Sequence, residues 1–202
     1  MQYALLPLET SNLLPFLGEV YFHPNFFSLE EADLYFKLLL EGLVWQQEPI
    51  WMFGKQILQP RLTTLYGDPK VPYGYSGIEM QAQPFTKELE TIKKRLQDFT
   101  QHEFTHVLCN YYRDGQDSMG WHRDNEPVLG QNPKIASLTF GASRSFQMRP
   151  HTEKEPKINL ELSHGSLLLM EGASQHHWEH QLPKTKKVNQ PRINLTFRRL
   201  LS

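Results

Sequence analysis

The 202-residue chain has a single cysteine, Cys109. This excludes an intramolecular disulfide and fits a reducing compartment, the cytosol or a nucleus if the host has one. No run approaches the ~20 apolar residues that a membrane span needs. The first residues lack a basic segment followed by a long apolar one, so no secretory leader is expected. Strong charge of one sign is missing too: 21 Lys and Arg face 22 Asp and Glu, a net charge of −1, so the protein is not a polycation. No internal repeat or low-complexity tract is visible, and nothing in the pattern calls for more than a monomer. What charge there is divides unevenly. Residues 1–100 carry 8 basic and 12 acidic side chains, and residues 101–202 carry 13 and 10. An anionic partner would therefore meet the second half through a local patch.

At 39% hydrophobic residues the chain can bury a substantial core, and its length suits one domain over residues 1–202. Residues 1–27, rich in proline and aromatics, read as a lead-in. Ser28 with Glu31 forms a capping box. Leu29, Ala32, Phe36 and Leu39 then follow helical spacing, and Gly42 is placed to stop the helix. A second helix is expected from Thr86 to about Thr100, with Leu89, Ile92, Leu96 and Phe99 on one stripe. Residues 44–78 are punctuated by Gly, Pro, Tyr and Trp and suggest hairpins and loops. From residue 105 short β-rich segments follow without an intervening helix: 107–112, 135–140, 145–149, 157–163, 166–170 and 188–200. The expected class is α+β, with a jelly-roll core over about 105–200 behind N-terminal helices.

The stretch with most chemical content is His122-Arg123-Asp124. Side chains at i and i+2 of an extended chain project to the same side. A later histidine would complete a set of two imidazoles and one carboxylate, which leaves half of an octahedral iron open, as in non-haem Fe(II) oxygenases. Candidates are His151, His164, His176, His177 and His180. His164 stands at a turn before Gly165, where a structural role suits it, and His151 lies in a charged loop. The cluster 175–180 offers the best choice, and spacing alone does not select among its histidines.

In the segment Arg192-Ile193-Asn194-Leu195-Thr196-Phe197-Arg198, Ile193, Leu195 and Phe197 share one face, and Arg192, Asn194, Thr196 and Arg198 the other. On a half-exposed strand the polar face would simply be solvated. Inside a barrel, two arginines require an anion, since an unpaired buried charge is costly. A dicarboxylate gripped by guanidinium forks would satisfy them. Asn110 and Tyr112 form a second polar row that could reach the same ligand.

Taken together, Asn110-Tyr111-Tyr112-Arg113-Asp114-Gly115, the H-x-D pair, His164 to Met170, His180-Gln181-Leu182-Pro183 and Pro191 to Arg198 resemble the AlkB family of Fe(II)- and 2-oxoglutarate-dependent oxygenases, over roughly residues 20–200. The homologues that act on duplex DNA are the most similar. The resemblance implies that His122, Asp124 and His180 hold iron. It implies that Arg192 and Arg198 secure the ends of 2-oxoglutarate with help from Asn110, Tyr112 and Thr196, and that dioxygen is the second cosubstrate. It further implies oxidative demethylation of 1-methyladenine and 3-methylcytosine in DNA, duplex and possibly single-stranded, as repair of alkylation damage. The same chemistry on RNA, a protein or a small molecule is the alternative. Residues of about 44–78 would then supply a finger hairpin, with Phe53, Gly54 and Lys55 at its tip, and a nucleotide-recognition lid. That lid would include Arg61, Tyr66, Gly67, Asp68, Tyr73 and Tyr75. Asn125 and Glu126 would reach the damaged base, Asn125 departing from the aspartate that duplex-acting relatives often carry. Lys186 and Lys187, in the basic loop 184–187, would contact phosphates.

Overall fold

The computed structural model describes residues 11–52, 55–71, 73–75 and 78–201. Along the chain run β1 (Glu19–His23), α1 (Leu29–Gly42), β2 (Pro49–Met52), β3 (Lys55–Leu58), β4 (Leu62–Tyr66), β5 (Tyr73–Tyr75), β6 (Ile78–Met80) and α2 (Lys87–Thr100). They are followed by β7 (His106–Tyr112), β8 (Met119–His122), β9 (Ile135–Gly141), β10 (Arg144–Pro150), β11 (Ile158–Leu162) and β12 (Ser166–Glu171). A short helical turn α3 (Ser174–His177), β13 (Trp178–Leu182) and β14 (Arg192–Arg198) close the chain. Two antiparallel sheets make the jelly roll. The larger has the order β1-β12-β9-β14-β7-β4 and the smaller β11-β10-β13-β8. β2 pairs with β3, and β5 with β6, as separate hairpins.

The alternation in β14 explains the layering. Ile193, Leu195 and Phe197 are fully buried against α1 and α2, in one cluster with Leu39, Leu89, Ile92 and Leu96. Each such side chain contributes roughly 1.5–3 kcal/mol. Arg192, Asn194, Thr196 and Arg198 are buried as well, on the opposite side, where the two sheets enclose a cavity. Because helices cover one face and the second sheet covers the other, the strand is buried on both. A second apolar cluster, with Val20, Ile135, Met148, Leu168 and Trp178, fills the other end of the sandwich.

The expected capping box is present: Ser28 Oγ accepts from the Glu31 amide, and Glu31 accepts from the Ser28 amide. α2 matches its expected span, with Thr86 as its cap. Three local expectations need correction. Leu29 opens α1 but is 70% exposed, and it is Phe27 and Tyr35 that pack against Phe140. Gly42 is the last helical residue rather than the stop, and the chain turns extended at Leu43. The lead-in contains β1, an edge strand of the large sheet that pairs residue by residue with β12.

Gly115 lies in the β7–β8 loop, where its amide donates to Val188 O and its carbonyl accepts from Thr185 N, both at 2.8 Å. A Cβ there would stand 2.2 Å from Thr185 O and 2.6 Å from Val188 O. Both obstacles are backbone and cannot rotate away. Gly115→Ala should therefore destabilise the protein by about 1–3 kcal/mol, read as a lowered denaturation midpoint. An unchanged midpoint would show that the 183–188 loop yields freely.

Candidate active site

β8 and β13 lie side by side in the smaller sheet, and His122 stands directly opposite His180 in the register. Their rings are 4.2 Å apart, centre to centre. Asp124 follows two residues beyond His122, just past the end of β8. One ligand atom from each of His122, Asp124 and His180 lies within 4.8 Å of the others. Pairing across the sheet thus selects His180 from the five histidines. His176 and His177 belong to the preceding α3. His151 faces Glu179 at 3.4 Å, and His164 accepts from the Gly141 amide at 2.8 Å.

These three groups suit a divalent cation. His122 Nδ1 is 2.8 Å from Gly120 O, which fixes the proton there and leaves the other ring nitrogen as a lone pair. His180 Nδ1 is buried with no hydrogen-bond partner. Burial lowers the pKa of both histidines, that of His180 to about 3 with the neighbouring His122 adding to the effect. Both rings are thus neutral and able to donate an electron pair. Burial works to raise the carboxyl of Asp124, but the paired Arg198 guanidinium outweighs it, so the carboxyl lies below its ordinary value and is ionised.

The cavity beside them, about 100 Å³ in volume, is lined from both sheets. Arg192 is 2% exposed; one terminal nitrogen donates to Thr139 Oγ1 at 2.8 Å, and its Nε has no partner. It pairs with no carboxylate among the described residues. Burial pulls its pKa down to about 10, with Arg144 nearby contributing. Such a guanidinium fits the carboxylate of a cosubstrate. Arg198, expected to secure the other end of the cosubstrate, is paired with Asp124 at 2.9 Å and also donates to the Tyr73 hydroxyl. Asn110 accepts from Arg61 Nε at 2.8 Å, and Thr196 donates to Asn194 Oδ1 at 3.0 Å. Tyr112 also lines the cavity, opposite Arg192 in register.

Of the residues expected around a base, Arg61, Tyr73 and Glu126 line the cavity. Tyr73 donates to Glu126 at 3.3 Å, and burial, together with Asp124, raises the Glu126 carboxyl. Tyr66 does not belong to a lid: it is on β4, buried in the core. Asn125 is exposed and absent from the cavity lining. Lys55, Lys186 and Lys187 are exposed. Phe53 and Gly54 lie outside the described residues. Tyr75 falls on the backbone of β5. Sequence reasoning missed Ser137 and Thr139, although Ser137 and Thr139 alternate with Ala136, Leu138 and Phe140 just as the polar row of β14 does. It also missed the apolar lining of Met119, Phe146, Met170 and Leu182, which no spacing rule marks.

The sequence profile of the 2OG-Fe(II) oxygenase superfamily matches residues 19–198. Alpha-ketoglutarate-dependent dioxygenase alkB homolog 3 of Mus musculus is 42% identical over 191 residues, covering 90% of this chain and 66% of that protein. DNA oxidative demethylase ALKBH2 of Homo sapiens is 39% identical over 186 residues, covering 87% and 71%. The chain belongs to the AlkB family of 2OG-Fe(II) oxygenases. AlkB membership agrees with the expected jelly roll and brings Fe(II), 2-oxoglutarate and dioxygen as its cofactor and cosubstrates. The solved structure of OsALKBH1 shares the fold, with a TM-score of 0.64 at 15% identity, over 89% of this chain and 96% of that one. The chain spans just under two thirds of the length of the mouse alkB homolog 3 protein.

Proposed function

We propose that this chain oxidatively demethylates N-alkylated bases in DNA, 1-methyladenine and 3-methylcytosine among them, in repair of alkylation damage. One observation carries the reading: three ligand atoms within 4.8 Å of one another share a cavity with a buried guanidinium, Arg192, that has no carboxylate partner among the described residues. His122, Asp124 and His180 would hold Fe(II), and Arg192 would bind a 2-oxoglutarate carboxylate. When bound, iron with 2-oxoglutarate and dioxygen supplies the oxidising power that hydroxylates an N-methyl group, after which formaldehyde leaves and the base is restored.

The protein's own part is positioning and exclusion of water. Arg198 fixes one oxygen of Asp124, and the other, with no hydrogen bond among the described residues, would bind the cation. Phe146 stacks against His180 at 5.2 Å and restrains its ring, while Leu182, Met119 and Met170 keep the wall apolar. Tyr73 and Glu126 present a hydroxyl and a carboxyl to the cavity, suited to an exocyclic amine on a flipped base. The relatives named as a DNA oxidative demethylase support DNA as the substrate. The cytosol or nucleus, with a single domain acting as a monomer, is the setting proposed here.

The test is a duplex oligonucleotide carrying one 1-methyladenine, incubated with Fe(II), 2-oxoglutarate and ascorbate and followed by mass spectrometry. Loss of the methyl group that requires both iron and 2-oxoglutarate is expected. Slow consumption of 2-oxoglutarate without repair would replace DNA by RNA or another substrate. Phe53→Ala should impair duplex repair more than single-strand repair if that residue fills the gap left by the extruded base. Equal loss on both substrates would remove the wedge assignment.

A further inference from the structure

Asp124 is held at both ends. Its carboxylate is fixed by Arg198, and its backbone amide donates to Gln175 Oε1 at 2.9 Å. Gln175 is wholly buried and comes from α3, 51 residues later in the chain. Its Nε2 is also engaged, with Met170 Sδ at 3.5 Å and Ser174 Oγ at 3.4 Å, so the amide has one orientation. α3 has little room to shift: a Cβ on Gly18 would stand 2.7 Å from Ser174 Cα. Two further bonds join α3 to the region of the H-x-D pair. Arg123 donates to His176 O at 2.9 Å, and the Asn132 amide donates to His176 Nε2 at 3.3 Å.

The arrangement spans a break in the sheet. β8 ends at His122, so Asp124 receives no support from strand pairing, and the β13–β8 register shifts between His180 and Leu182. Whatever sets the place of Asp124 relative to His180 must come from elsewhere. α3 leads directly into β13, which carries His180. A side chain of α3 bonded to the backbone of Asp124 therefore references one ligand to the strand of the other.

We infer that Gln175 is a positioning residue for the His122–Asp124–His180 group, setting its affinity for a divalent cation without touching the cation. The inference rests on the metal-binding role proposed above. Outer partners of metal ligands influence affinity by about 10–100-fold when removed. A purely structural role would be limited to satisfying a buried amide, which costs about 1–3 kcal/mol when unpaired. The two roles separate by experiment, because loss of the structural one lowers stability and leaves the affinity of the folded protein alone.

The test uses the full chain stripped of metal, titrated with Mn(II) by calorimetry, with the thermal midpoint of the metal-free protein recorded for each variant. Gln175→Met, of similar volume but offering only a weak thioether acceptor in place of the amide oxygen, should bind Mn(II) about 10–100-fold more weakly than the wild type. Gln175→Glu should stay close to the wild type, since its side chain has the same length and keeps an oxygen acceptor for the Asp124 amide. Should methionine prevent folding, Gln175→Asn carries the same expectation as Gln175→Met, its amide being too short to reach. Wild-type affinity in a folded Met or Asn variant, whatever its thermal midpoint, would overturn the inference. His180→Ala serves as the control. If it binds Mn(II) as well as the wild type does, or if the wild type binds none, the metal-site reading itself falls and the inference with it.

Discussion

His122→Ala is expected to reduce demethylation to the uncatalysed level while the metal-free protein keeps its fold. The imidazole is at the last position of β8, and its hydrogen bond is to the carbonyl of Gly120, two residues away. Removing it leaves the large sheet, the helices and the apolar clusters untouched. What is lost is one of three electron-pair donors in a group that spans 4.8 Å. Two donors hold a divalent ion far less firmly than three and do not fix its open face. Circular dichroism and the thermal midpoint without metal should resemble the wild type, and Mn(II) binding should disappear alongside turnover. Retained turnover would take iron away from His122 and send the search for ligands elsewhere.

Arg192→Met should produce two effects of opposite sign. The ligand-free protein should become more stable, because a guanidinium with no carboxylate partner among the described residues is replaced by an apolar side chain in the same buried place. Exchanging buried charge for well-packed apolar groups gains about 1–4 kcal/mol in comparable cases. Thr139 loses a donor, but its hydroxyl can turn. The second effect concerns 2-oxoglutarate, whose binding should weaken by about 2–5 kcal/mol through loss of a charge-assisted contact. At a concentration of 100 Kd a ligand stabilises its protein by about 2.7 kcal/mol. The wild type should show that stabilisation with 2-oxoglutarate in the presence of Mn(II), and the variant should show about a third of it at most. Equal stabilisation of both proteins would mean that the dicarboxylate is gripped elsewhere in the cavity.

The sequence was legible where local pattern and final environment coincide. α2 is one case, where Leu89, Ile92 and Leu96 are spaced for a single face and all three are buried there. β14 is another: its period of two separates a face packed on helices from a face turned inward, and both faces are visible in seven residues. β8 and β13 were not legible as strands. Their inward positions hold His122 and His180 where an ordinary strand would hold valine or isoleucine, so chemistry erased the pattern. The choice among five histidines is likewise non-local, since it follows from the pairing of two strands more than fifty residues apart. The role of Arg198 had the same origin. Its place on the inward face could be read, but its bond to Asp124, 74 residues away, depends on the fold. Ser137 and Thr139 could have been found by applying to β9 the alternation already used on β14.

β1 has a consequence for any shortened version of this protein. Its five residues cap the outer side of β12 and supply Val20, fully buried, to the second apolar cluster. A fragment starting at residue 25 would retain every residue of the candidate site. It would nevertheless present β12, with the run Leu167-Leu168-Leu169-Met170, as a bare margin of unsatisfied backbone groups. Such margins recruit copies of themselves. The trimmed protein would be lost to self-association before its chemistry could be measured, so these few residues, none of them in the cavity lining, decide whether the molecule stays in solution.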